Sequence, residues 1–412
     1  MELDVDFARS HFPALAQGWG LMDNAGGSVT PTPVIERITR YLREFQVQLG
    51  ASYPMSAEAE SLVRAGEAAA ATLVGATPEE AIVGPNTTSN LQLMARALGP
   101  QIEPGDEVIV TNLDHEANIG CWRGLASHGA EVRTWRLRPE TASLHLVDLE
   151  ALLTPRTRLV AFTHCANVVG EIVDVAAVVA AVRANRPDTI VCADGVAYAP
   201  HRLVDVRALG VDLYAVSLYK VYGPHLGVLF GRRELLLEAK SRNHGFVAED
   251  QLPYKFQPGN VTHELAAGLT GILEYFDRLA AHHGIEEPSA RRRLARVYAL
   301  IAAHEQRLAE RVLEFLRARA DVTIIGPKSA DADLRVPTIA FAVDGVPASV
   351  IPPALEAQRV AIRFGHFYAP AAIDALGLAE RGGVARISMA HYNSLAEVDR
   401  LIDGLGALLD RR

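Results

Sequence analysis

Cysteine is scarce in this chain. The three present, Cys121, Cys165 and Cys192, are too widely spaced for a CxxC zinc site or a disulfide framework, and no metal site is expected. Two of them lie in apolar strand-like runs and read as core residues. Long apolar runs are missing as well: uncharged stretches such as VAAVVAAV are far too short to cross a bilayer. The acidic start, MELDVDFARSHF, lacks the positive charge of a secretory signal. Positive charge is also short, with a formal net charge of −9 and Lys and Arg scattered among Asp and Glu. No basic stripe remains to neutralise nucleic-acid phosphates. These absences argue against membrane and nucleic-acid partners and point to a cytoplasmic protein.

The chain does have material for a large core. The 412 residues are 49% hydrophobic and carry no low-complexity tract, which suits two domains. From residue 60 to 265, Ala- and Leu-rich helical windows alternate with short β-branched runs: EAIVGP, DEVIVTN, AEVRTWRL, RLVAFTHC, DTIVCADG, DLYAVSLY and GVLFG. That alternation predicts an α/β fold, a mostly parallel sheet covered by helices on both faces. THELAAGLTGILEYFDRLAAHH reads as one amphipathic helix, and PSARRRLARVYALIAAHEQRLAERVLEFLRAR as a longer one able to bridge two domains. The expected division is a segment 1–20 packing near the smaller domain, a large domain 21–284, and a small α+β domain 285–412.

A parallel sheet binds ligands beyond the carboxyl ends of its strands, so the residues just after each apolar run matter. SLYKVYGPHLG ends a buried run on Lys220, and TIVCADG ends another on Asp194. Asp194 and Lys220 sit on successive strand ends and can reach one crevice. VGPNTTSNLQLMARAL offers Asn86, Thr87 and Thr88 at a helix N-terminus suited to an anion. His115 comes just after a further strand, where an imidazole could stack on a ring and trade protons near neutral pH. Asn167 ends another, placed for a hydroxyl. Each alone is as readily a solvated lysine, a plain N-cap, a surface histidine or a turn asparagine. In combination they match pyridoxal phosphate, which needs a lysine for its aldehyde, an aspartate for its ring nitrogen and a cup of donors for its phosphate.

These residues carry a resemblance to the class V aminotransferases of fold type I, in the cysteine desulfurase and selenocysteine lyase branch. It covers nearly the whole chain through LMDNAGGS, NTTSNLQLMA, DHEANIGCW, DGVAYAPH, SLYKVYGPHLGVLFG, PGNVTHE, VAIRFGHFYAP and GVARISMAHYNSLAEVDRLI. It implies a homodimer acting on an L-amino acid as small-molecule substrate, with active sites at the interface. Thr87, Thr88 and Ser217 then hold the phosphate, His115 stacks on the ring, Asn167 meets its hydroxyl, Asp194 its nitrogen, and Lys220 binds the cofactor covalently. Gly259 and Asn260 match a pair that closes the phosphate site of a neighbouring subunit. Arg386, with Arg363, matches the arginines that hold a substrate carboxylate, and Asn24 falls at the substrate.

Three departures stand out. Tyr219 occupies a position usually held by a phosphate-binding histidine, and Ala197 one usually held by a glutamine. A Gly-His-His-Cys loop that carries a sulfur-accepting thiol reads GHFY here, with Tyr368 in place of the cysteine. Cys121 is the cysteine nearest a cofactor-binding segment, but no neighbouring charge stabilises a thiolate. The expectation is therefore a carbon–sulfur lyase that expels sulfur by β-elimination without a persulfide cysteine. Transamination, epimerisation or decarboxylation are alternatives, and a non-catalytic cofactor-binding protein is a remote one.

Overall fold

The computed structural model describes residues 1–410. Its strands, in chain order, are β1 (Gly20–Leu21), β2 (Ala81–Gly84), β3 (Glu107–Thr111), β4 (Glu131–Trp135), β5 (Thr157–Thr163), β6 (Ile190–Asp194), β7 (Leu213–Ser217), β8 (Gly227–Gly231), β9 (Val322–Ile325), β10 (Thr338–Val343), β11 (Val360–Ala361), β12 (Arg363–Gly365) and β13 (Val384–Ser388). Seven form one sheet in the order β2-β8-β7-β6-β5-β3-β4. Within it β8 runs antiparallel to both its neighbours, β7 and β2, while the other adjacent pairs are parallel.

Alternation along the central strands explains the two covered faces. Leu159 and Ala161 of β5 enter one hydrophobic cluster, while Val160 and Phe162 enter another. Cys192 and Val191 of β6 divide in the same way. Successive side chains point to opposite faces, so a strand apolar at every position must be buried on both.

The region expected as one helix over 262–283 is two, His263–Gly268 and Thr270–His282. Tight packing accompanies the break. A Cβ on Gly66, in the helix Pro54–Val74, would lie 1.7 Å from the Ala266 carbonyl oxygen, so only glycine admits that backbone approach.

The helix Ala290–Arg317 has 28 residues and starts on Ser289, whose side chain accepts from Arg292 N. Leu294, Val297 and Ile301 pack into a core of the large sheet, and Leu308, Val312 and Leu316 into a third core beneath the antiparallel sheet β12-β13-β10-β9. Between these two sets lies Glu305, fully buried, accepting from Arg202 Nη1 at 3.0 Å and facing His201 Nδ1 at 2.8 Å. The first residues touch both parts: Arg9 pairs with Glu397 at 2.9 Å, and Phe7 stacks on His282 at 3.7 Å. The chain then crosses to pair β1 with β11. Among the described residues no helix is long and apolar enough to cross a membrane.

Candidate active site

One cleft at the carboxyl ends of the parallel strands gathers Thr87, Thr88, His115, Asn167, Asp194, Ser217, Tyr219 and Lys220 on its wall. Lys220 lies in a tight turn, Leu218–Lys220, directly after β7. Leu218 N donates to Leu226 O at 2.8 Å and closes this turn. Tyr222, at φ 63°, donates its backbone N–H to Ser28 Oγ at 3.0 Å. The lysine is only 7% exposed. Burial chiefly, then the nearby Arg386 charge, lowers its pKa from 10.5 to about 8, while Asp194 and Asp23 push it back up.

Asp194 ends β6 and pairs in register with Thr163 of β5. Its Oδ1 accepts from Val196 N at 2.9 Å. Burial raises its pKa, opposed by that hydrogen bond and by Lys220. Behind it lies Asp114, fully buried, which accepts from Thr111 Oγ1, from Thr163 N at 3.0 Å and from Asn118 Nδ2 at 2.6 Å. Burial lifts Asp114 to about 7 against those bonds, and the Asp194 charge adds to the rise. Sequence reasoning missed Asp114 and Asn118. They flank His115 in DHEAN, which is the one signal along the chain that points to them.

The anion cup is formed by the start of the helix Thr87–Leu98. Asn86 caps it, accepting from Ser89 N at 2.8 Å, and Thr87 Oγ1 and Ser217 Oγ lie 2.8 Å apart. The first amides of a helix have no intrahelical acceptor, so they face the cleft as donors. A Cβ on Gly227 would lie 2.6 Å from Thr87 N, so glycine lets β8 approach the cup this closely.

His115 is held with Nδ1 accepting from Ala117 N at 3.1 Å. Burial first, then Lys220 and Arg386, lowers its pKa to about 4. It is therefore neutral near pH 7, an imidazole free to stack on a ring and, with Nδ1 accepting, carrying its proton at Nε2. Tyr219 is half-buried and stacks on His225, with ring centroids 4.8 Å apart.

Asn167 connects the cleft to the arginines. Its Nδ2 donates to Phe367 O at 2.8 Å, its carbonyl accepts from Arg386 Nη1 at 3.0 Å, and its Oδ1 is buried without a partner. Arg386, on β13, is 2% exposed and stacks 3.7 Å over the Phe367 ring. Its Nη2 donates to Asp23 Oδ1 at 3.0 Å. Arg363, on β12, is exposed and reaches Asp23 Oδ2 at 3.4 Å. Phe367 and Tyr368 both have positive φ, 52° and 59°. Tyr368 O accepts from Glu116 N at 2.7 Å, while its 65%-exposed ring stands 5.3 Å from His115.

Two expectations, on Asn24 and Cys121, are corrected. Asn24 is buried and its side chain is occupied internally: Nδ2 donates to Leu21 O, Ser388 O and Asn393 Oδ1, and Oδ1 accepts from Tyr392. Adjacent Asp23 instead meets the arginines. Gly259 and Asn260, both at positive φ, form a surface turn away from the cleft of their own chain. Cys165, rather than Cys121, lines the cleft. Burial pushes all three thiols well above their ordinary value.

The arrangement fits pyridoxal phosphate on its own terms: an unpartnered buried acceptor at Asn167 Oδ1, a carboxylate at Asp194, a helix N-terminus narrowed by Gly227, and a buried amine at Lys220.

Comparison with known proteins agrees. The family model described as aminotransferase class-V matches residues 21–401. The chain is 37% identical to the aminotransferase-like protein FGM3 of Gibberella zeae, over 98% of each chain. It is 32% identical to a cysteine desulfurase of Pectobacterium atrosepticum, again over 98% of each. The apo structure of a cysteine desulfurase from Thermococcus onnurineus superposes with a TM-score of 0.88 at 25% identity, covering 100% of this chain and 99% of that one. The chain therefore belongs to the class-V aminotransferase family, in its cysteine desulfurase-like branch, as a pyridoxal-phosphate-dependent enzyme of fold type I.

Proposed function

We infer that the protein removes the Cα proton of an L-amino acid and expels a sulfur substituent from Cβ, releasing a free thiol. Bound pyridoxal phosphate supplies the electron sink that stabilises charge at Cα. Lys220 is the residue that would hold its aldehyde. Asp194 would keep a proton on its ring nitrogen, Asn167 Oδ1 would accept from its hydroxyl, His115 would lie on its face, and Thr87, Thr88, Ser217 and Tyr219 would donate to its phosphate.

Lys220 has the properties of the base as well. A lysine with a pKa of about 8 is partly deprotonated at neutral pH, and its burial excludes the water that would otherwise compete for the Cα proton. Arg386, assisted by Arg363, would bind the α-carboxylate. Its planar fork suits a carboxylate, and its unpartnered Nε leaves a donor spare. The family's dimeric assembly gives Gly259 and Asn260 their place, as donors to the phosphate of a neighbouring subunit.

The observation that carries thiol release is the state of the sulfur chemistry. Tyr368 stands in the loop where relatives of this branch place an acceptor, and burial holds the thiols of Cys121, Cys165 and Cys192 protonated. A lyase that lets sulfur leave with its substituent needs no acceptor. The test is a panel of S-substituted cysteines with and without a keto-acid co-substrate. Stoichiometric thiol and pyruvate without the keto acid support the lyase, whereas turnover only with the keto acid identifies a transaminase.

A further inference from the structure

Arg363 and Arg386 are direct cross-strand partners on β12 and β13, an arrangement that sets like charges side by side and is unfavourable unless something lies between them. Asp23 does. Its Oδ1 accepts from Arg386 Nη2 at 3.0 Å and its Oδ2 faces Arg363 Nη1 at 3.4 Å. The backbone fixes it there: Asp23 forms a bridge with Ser388, at the end of β13, and Gly26 N donates to Asp23 O at 3.0 Å. A Cβ on Gly26 would come within 3.2 Å of Asp23 Oδ2 and 3.3 Å of Arg363 Nη1, so this loop packs directly over the ion triad.

Two guanidinium groups and one carboxylate leave a single net positive charge. We propose that Asp23 sets the charge of the substrate-carboxylate site, so that Arg386 and Arg363 together accept one carboxylate and discriminate against a ligand carrying two, a role that rests on Arg386 being the partner of the α-carboxylate. The incoming α-carboxylate brings the cluster to neutrality. A second negative group on the same ligand meets Asp23 with neither guanidinium left to offset it.

Isothermal calorimetry on the cofactor-loaded enzyme tests this with propionate and succinate as probes. Asp23→Asn keeps the shape and removes the charge, and should shift the ratio of the two dissociation constants about tenfold toward succinate, the scale of one charge a few ångströms away in a half-buried site. Asp23→Glu should restore the wild-type ratio. Arg363→Gln, at an exposed position, should move the ratio the opposite way, and it keeps the proposal testable if Asp23→Asn does not fold. Equal weakening of both probes in the Asp23 variant, or an unchanged ratio in Arg363→Gln, would make the aspartate a structural strut and overturn the proposal. Arg386→Lys separates the underlying assumption: undiminished propionate binding there refutes Arg386 as the carboxylate site, whereas lost binding with no ratio change at Asp23 refutes the charge role alone.

Discussion

Replacing Lys220 by methionine should inactivate the enzyme and, in the cofactor-free protein, stabilise it. The ammonium is buried with 7% exposure, and its pKa falls from 10.5 to about 8. At roughly 1.4 kcal/mol per pH unit, that depression is a folding cost of about 3 kcal/mol. Methionine matches the stem in length and carries no charge, so Lys220→Met should recover much of this at pH 7. The sign comes from linkage. Well below pH 8 the lysine is protonated both folded and unfolded, and the full cost is present; at pH 7 nearly all of it is. Between pH 8 and about 10.5 the folded protein releases the proton while the unfolded chain keeps it, so wild-type stability rises and the advantage of methionine shrinks. Urea denaturation of both apo-proteins at pH 7 and pH 10 measures the difference. A gain that is absent at pH 7, or that grows with pH, would refute the assignment of Lys220 as a charge held at the expense of stability.

Asp194→Ala should slow exchange of the Cα proton for deuterium, measured by NMR, on the order of 10²-fold or more, while cofactor still binds; near-normal exchange would place the nitrogen's partner elsewhere. In Gly227→Ala the new methyl meets Thr87 N at 2.6 Å, so overpacking should cost about 1–3 kcal/mol and weaken cofactor retention in dialysis; unchanged retention would separate β8 from the phosphate cup. Changing Cys121, Cys165 and Cys192 together to alanine should leave substantial turnover, with the loss of stability assigned to the two buried sites. A persulfide on any of them, detected by mass spectrometry and required for turnover, would make the protein a desulfurase.

The mostly parallel sheet and the cleft were legible because both arise from local rules. An apolar run buried on two faces needs no distant information, and neither does the placement of polar residues just beyond its carboxyl end. Lys220, Asp194, His115, Asn167 and Thr87 come from that logic, and the structure puts them on one wall. The break at Leu269 was not legible, since the Ala and Leu pattern runs through it unchanged and the tight helix contact at Gly66 comes from a segment some 200 residues away in the sequence. Asn24 and Asp23 show the same limit at finer grain. A shared loop places both near β13, but which one faces the arginines depends on the bridge of Asp23 to Ser388 and on Tyr392 capturing the Asn24 amide.

Buried charge has no signature along the chain because its meaning lies in the partners. Asp114, Asp194, Lys220, Arg386 and Asp23 come from five separate segments, and each of the first four is buried enough for its pKa to move. A carboxylate or ammonium alone in such a place would be neutralised or expelled. Here the opposite charges offset part of one another's cost: Lys220 favours the ionised form of Asp194, Asp23 favours the charged form of Arg386, and Asp194 and Asp23 both offset part of the desolvation of Lys220, while the like charges, Asp194 on Asp114 and Arg386 on Lys220, add to it. The lysine is left with a pKa between that of an exposed ammonium and that of a buried one with no counter-charge. An amine fully protonated at pH 7 could not attack an aldehyde, and one neutral well below pH 7 would be a poor base for a carbon acid. The two aspartates and the arginine thus act on the reactivity of Lys220 through the same energies that set its cost to the fold.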